Sequence, residues 1–162
     1  MPMRQRIEII PFQKEHQTGI DSMMQTIALE FEEPIFSAQS KKIIDLFALP
    51  NNTYWVATIQ GQVIGTIGMT ELAHGNVVLK SMFVDQVFRG HGVSGLLLAT
   101  LTNRVMQNRG KRIYLGTMTQ FAAGQRFYEK NGFAKCETAV LPPDFTINPL
   151  DTVFYTKSID HA

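Results

Sequence analysis

The sequence has a single cysteine, Cys136, among 162 residues. A lone thiol closes no internal disulfide, and with no histidine beside it in the chain it makes no metal cluster, so a metal-free protein of a reducing compartment, the cytoplasm, is expected. An excess of one charge is lacking too. Fifteen Lys and Arg against 14 Asp and Glu leave a net charge of +1, which gives no global field to hold a polyanion, and nucleic acid is not an expected partner. Long apolar runs are missing. Leu96 to Leu101, broken by Thr100, falls far short of the ~20 residues of a membrane span, and Met1 to Pro11 lacks the apolar stretch of a secretory signal. A soluble, unexported chain without a membrane partner is the expectation. The 12 glycines and 7 prolines are ordinary usage and exclude collagen-like or low-complexity chains. What is present is a 44% hydrophobic chain close to the roughly 150 residues of one domain, so residues 1–162 are read as one domain whose core needs neither disulfide nor metal.

The hydrophobic pattern gives mixed α/β order. Ile7, Ile9 and Ile10 before Pro11 read as a strand, and Ile20, Met23, Met24, Ile27 and Phe31 fall at helical spacing within Gln13 to Phe31. A second helical pattern after Pro34 carries Ile43, Ile44 and Phe47 and stops near Pro50. Tyr54 to Ile59 and Val63 to Met69, joined by Gln60-Gly61-Gln62, read as a hairpin. Val77 to Val84 is a third strand, followed by a polar loop from Asp85 to Gly92 and an apolar helix from Val93 to Asn108. A strand over Ile113 to Thr117, a helix over Phe121 to Lys130 stopped by Asn131-Gly132, and a late strand over Thr152 to Ser158 complete the order. Leu141 to Leu150, with three prolines, reads as a loop.

Gly90-His91-Gly92-Val93-Ser94-Gly95 spells GxGxxG between a strand and a helix, where backbone N–H groups and the helix dipole favour an anion. A dinucleotide site would add an acidic residue about twenty positions on, but residues 113–117 are Ile, Tyr, Leu, Gly and Thr. No Gly-Lys-Ser/Thr follows the glycines either, so the lysine and magnesium ligand of a P-loop NTPase are absent. A phosphate without nicotinamide and without nucleotide hydrolysis is what remains; the plain alternative is a tight turn with a close helix contact.

Arg89 stands directly before these glycines, Val84-Asp85 closes the strand ahead of them, and Phe127-Tyr128-Glu129-Lys130-Asn131-Gly132-Phe133 follows one strand and one helix later. The combination resembles the GNAT superfamily of acyl-CoA-dependent N-acyltransferases over most of the chain. Arg89, Gly92 and Ser94 fall on the three signature places of that family's pyrophosphate loop, with Ser94 where Gly or Ala is usual. The resemblance implies an α/β fold: a mixed, mostly antiparallel sheet of six to seven strands, splayed between two central strands and flanked by about four helices. It implies acetyl-CoA as co-substrate, its pantetheine arm pairing with Met82, Phe83 and Val84 and its pyrophosphate on the N–H groups of Arg89, Gly90, His91, Gly92, Val93, Ser94 and Gly95. The N–H of Phe83 would donate to the oxyanion and Tyr128 would protonate the leaving thiolate.

The base is harder to place. Positions where the family often carries a glutamate fall here on Val78 and Gly116, neither of which titrates. Glu71, His74 and the cluster Glu30, Glu32 and Glu33 are the candidates for the base or for holding the cationic amine, with Glu30, Glu33 and Glu71 the expected acceptor-binding carboxylates, and a water-relayed proton transfer would also serve. The acceptor would be an amine of a small molecule or peptide, entering between Glu30 to Phe36 and Leu141 to Leu150. A homodimer and a non-catalytic acyl-CoA sensor or interaction module on the same fold stay open.

Overall fold

The computed structural model describes residues 6–160. The first five residues of the segment read as free of a secretory signal, and residues 161 and 162 of the domain, lie outside the described residues. The elements run β1 (Ile7–Pro11), α1 (Gln17–Ala28), α2 (Ile43–Leu46), β2 (Asn52–Ile59), β3 (Gln62–Glu71), β4 (Asn76–Val84), α3 (Val93–Gln107), β5 (Arg112–Thr117), α4 (Ala122–Lys130), β6 (Ala134–Cys136) and β7 (Val153–Ser158). They build a seven-stranded open sheet in the order β1-β2-β3-β4-β5-β7-β6. β4 and β5 pair in parallel; every other pairing is antiparallel.

Each face of the sheet is covered according to the period of its helices. On one face α3 lays down Val93, Leu97, Leu101 and Val105, a repeat of about one turn, against Ile64, Ile67, Leu79, Ile113 and Leu115. On the other, Ile20, Met23, Met24 and Ile27 of α1 cover Tyr54, Val56 and Val63. Alternation along β2 sends Trp55 and Ala57 to the α3 face and Tyr54 and Val56 to the α1 face, the period-2 rule of a strand buried on both sides.

Two sequence expectations change. The helix after Pro34 shrinks to the single turn of α2, and residues 29–42 run as turns and bends, because Pro34, Ser37 and Ser40 favour local bonds such as the Ser37 N–H to Ser40 Oγ, 2.8 Å, over a helical ladder. β6, a three-residue strand at the sheet edge, follows the Asn131-Gly132 stop, where no strand was expected.

The parallel pairing of β4 with β5 stops early. Asn76, Val77 and Val78 register with Arg112, Ile113 and Tyr114, and nothing beyond does. The strands then diverge, so residues 79–84 of β4 turn one backbone edge toward a gap. β5 continues instead with β7 as far as Thr117, opposite Val153.

Candidate active site

The gap leads to the glycine loop. Gly90 and Gly92 have φ of +83° and +85°, a left-handed backbone that a side chain would strain. Built in, a Cβ at Gly90, Gly92 or Gly95 would meet nothing within 4 Å, so these glycines make room outward rather than closing on a neighbouring helix. Gly92 caps α3 without a side-chain bond. The first backbone bond of this end runs from the Leu96 N–H to the Gly92 carbonyl, 3.1 Å, leaving the N–H groups of Val93, Ser94 and Gly95 ahead of it as the unpaired donors of a helix start. This is an open cradle for an anion, and it suits a pyrophosphate.

Arg89, expected on the pyrophosphate loop, has its side chain engaged by protein groups. Its Nε donates to the Val84 carbonyl at 3.0 Å, and its two terminal nitrogens grip the carboxylate of Glu30, one of them at 2.9 Å. Glu30 is therefore a partner of Arg89 and not a free carboxylate for an acceptor. Glu33 offers its backbone, not its side chain: its N–H and carbonyl bond the side chain of Gln120. Together with Phe31 stacked edge-on to Phe121, centroids 4.8 Å apart, these contacts strap the segment after α1 to the loop between β5 and α4. Glu71 lies away from the gap, opposite Val77 in the half of β4 that pairs with β5, where the Asn108 amide donates to it at 2.7 Å. His74 is exposed in a turn there.

β4 carries a bulge at the gap. Its register with β3 passes from Phe83 opposite Thr66 to Lys80 opposite Gly68, so Ser81 and Met82 both face Ile67, and Ser81 takes φ +54° to allow it. The Asp85 N–H bonds the Ile64 carbonyl at 2.9 Å; alternation from that bond turns the Phe83 N–H toward β3 as well and the Val84 N–H toward the gap. The expected Phe83 oxyanion donor is corrected by this geometry. The Ser81 carbonyl accepts from the Thr66 hydroxyl at 2.7 Å, and in a trans peptide the N–H of Met82 then points away from that hydroxyl. Phe83 keeps a role as a wall: its ring meets Phe121 at 6.1 Å.

Tyr128, on α4, is 6% exposed and set among the rings of Phe127, Phe133 and Tyr155. Burial first, and then the negative charge of Asp151, push its phenol well above the ordinary tyrosine range. It keeps its proton at neutral pH, as an acid must and a base must not. On the α1 side of the bulge a groove of about 390 Å³ is lined by Thr66, Ser81 and Phe83 from the sheet, Gln17 and Asp21 from α1, and Lys41 and Lys42 ahead of α2. The loop expected opposite, Leu141 to Leu150, does not line this groove; its Asp144 accepts from the Ala73 N–H and its Phe145 ring packs against Phe154.

Among the described residues no group of three or more His, Cys, Asp or Glu could hold a metal, and no helix is long and apolar enough to cross a membrane. Asp151 was not singled out by its sequence position. It sits in the proline-bearing segment ahead of β7, with no motif around it, and acquires a site only because Thr152 bonds the end of β5, N–H to the Thr117 carbonyl at 2.9 Å.

Known proteins resemble this chain in sequence and in fold. The chain is 33% identical over 112 residues to an N-acetylaspartate synthetase of Danio rerio, a match covering 67% of this chain and 39% of that protein; the chain thus spans about two fifths of the length of such relatives. An acetyltransferase of the GNAT family from Staphylococcus aureus Mu50 superposes with a TM-score of 0.87 at 24% identity, covering 96% of this chain and all of the other. The PaiA N-acetyltransferase of Thermoplasma acidophilum, solved in complex with coenzyme A, superposes with a TM-score of 0.70 at 16% identity, over 95% of this chain and 99% of the other. The model of the acetyltransferase (GNAT) family matches residues 20–133, a span that takes in the gap, the bulge, the glycine loop and Tyr128, and the chain belongs to that family.

Proposed function

We propose that the protein transfers an acetyl group from acetyl-CoA to the amine of a small, carboxylate-bearing acceptor by direct attack on the thioester. The observation that carries this reading is the gap between β4 and β5, which sets an unpaired backbone edge beside an open anion cradle. Bound acetyl-CoA supplies the electrophile, the carbonyl carbon of its thioester. The N–H groups from Gly90 to Gly95 and the start of α3 hold the pyrophosphate, where the helix dipole contributes about 0.3 to 2 kcal/mol. The exposed edge of Met82 and Val84 pairs with the pantetheine arm as an added strand would. The Met82 N–H receives the developing oxyanion, and Tyr128 hands its proton to the departing sulfur.

The acceptor class rests on charge. Lys41 and Lys42 line the groove beside the bulge against Asp21, which bonds Lys42 at 3.1 Å; Lys41 has no salt bridge among the described residues. Lys80, on the same face of β4 as Phe83, is partly buried, and burial pulls its ammonium below the ordinary lysine range. Such cations suit a carboxylate better than a polyamine. That the curated relatives are called N-acetylaspartate synthetases agrees with an amino-acid acceptor. A cytoplasmic setting fits the single free thiol.

The test is thiol release from acetyl-CoA with L-aspartate, L-glutamate, spermidine and a short peptide as acceptors. Release with the amino acids and not with spermidine is expected. Release with spermidine alone would overturn the acceptor class, and tight coenzyme A binding without release from any acceptor would favour the sensor.

A further inference from the structure

We propose that Asp151 is the catalytic proton acceptor for the attacking amine, taking from a loop the place that a side chain on β5 would otherwise fill. The proposal rests on the acetyl-transfer reading above. Its basis is the missing side chain at Gly116: a Cβ built there would lie 2.7 Å from Asp151 Oδ2 and 2.9 Å from Phe154. The carboxylate thus occupies the space over β5 that Gly116 leaves empty. Register fixes which space that is. Gly116 pairs with Phe154 and lies just beyond Tyr114, the last β5 residue registered with β4, so the carboxylate stands beside the mouth of the gap. It is placed rather than paired: its own N–H bonds the Asn148 carbonyl at 3.0 Å and Thr152 is tied to Thr117 and Thr119, while among the described residues no cation forms a salt bridge with the carboxylate.

The titratable group that faces it is the Tyr128 phenol on α4; Gly116 from β5 and Phe154 from β7 bring no charge. Partial burial raises the Asp151 carboxyl to about 6, so at neutral pH it is ionised yet far more basic than an ordinary aspartate, as proton abstraction from an ammonium requires. The two groups divide the work. The acceptor ammonium gives one proton to Asp151, which passes it to water. The freed nitrogen lone pair forms the N–C bond, the C–S bond breaks with its electron pair on sulfur, and the sulfur takes the Tyr128 proton. The phenolate then recovers a proton from the acylated nitrogen, which balances the step.

Asp151→Asn keeps the shape and removes the base. Expected are a fall in turnover of about 10²-fold or more with the coenzyme A thermal shift retained, loss of the limb of kcat/KM that rises through pH ~6, and partial rescue of Asp151→Ala by formate. A second readout needs no turnover. The raised carboxyl destabilises the fold when charged, so the contribution of Asp151 to wild-type stability is fully present below the ordinary aspartate range and is lost as pH rises through about 6. The Tm of Asp151→Asn should therefore gain on wild type across that interval and stay level above it. Wild-type turnover and an unchanged acid limb in Asp151→Asn overturn the role of Asp151 alone, as does a variant less stable than wild type at pH 8. A wild type that releases no thiol with any amine overturns the acetyl-transfer reading and this role with it.

Discussion

Tyr128 owes its orientation to three neighbouring rings, at centroid distances of 5.8, 5.6 and 5.9 Å, and to no hydrogen bond of its hydroxyl among the described residues. Its packing and its proton can therefore be separated. Tyr128→Phe keeps the rings and should lower turnover about 10²-fold, change stability by about 1 kcal/mol or less, and leave coenzyme A binding near wild type. Normal turnover in that variant would hand the proton to water. Arg89 tests differently, because its fork is engaged by Glu30, whose side chain is only 16% exposed. Arg89→Glu sets two carboxylates face to face and should cost about 1 kcal/mol or more, read as a lower Tm; the swap with Glu30→Arg should recover the Tm while coenzyme A affinity stays reduced. The places of Tyr128 on α4 and of Arg89 ahead of the glycine loop were legible in sequence because each sits at fixed spacing from glycines that a turn demands. Asp151 was not, since its meaning depends on a side chain that Gly116 lacks.

At the scale of elements the bulge in β4 is the feature most exposed to test. Ser81 holds a left-handed φ of +54°, a conformation that costs a non-glycine residue about 1 to 3 kcal/mol. Ser81→Gly relieves that strain and should raise Tm or leave it unchanged with turnover retained, whereas Ser81→Val favours a straight strand and should lose turnover at least 10-fold as the Met82 N–H is drawn from the gap. Equal turnover in both variants, measured by thiol release, would show the bulge to be immaterial. No pattern of residues announces the bulge: Val-Val-Leu-Lys-Ser-Met-Phe-Val reads as an unbroken strand, and the fault in register comes from pairing with β3. The hairpin of β2 and β3 was readable because its β-branched runs flank Gly61. β6 was not, three residues being too short for a period to appear, and α2 was overread because Ile43, Ile44 and Phe47 suit one turn as well as several.

For the whole molecule, the β4–β5 gap is a place inside the sheet, away from its two edges, where strand backbone is unpaired, and the glycine loop follows the end of β4 there. A ligand that uses both should stabilise the fold more than one that uses the loop alone. Coenzyme A carries a pyrophosphate for the cradle and an amide-bearing arm for the strand edge; NAD and ATP bring phosphates without the arm. At 100 times its dissociation constant a ligand specific to the native state adds about 2.7 kcal/mol, which for a domain of this size is a rise in Tm of roughly 5 to 10 °C. Coenzyme A should reach that range at concentrations where NAD and ATP give a small fraction of it. 3′-Dephospho-coenzyme A, which retains both pyrophosphate and arm, should come close to coenzyme A. Equal shifts from all four would mean that the loop binds any phosphate and the gap contributes nothing, and the pairing of the arm with Met82 and Val84 would fall.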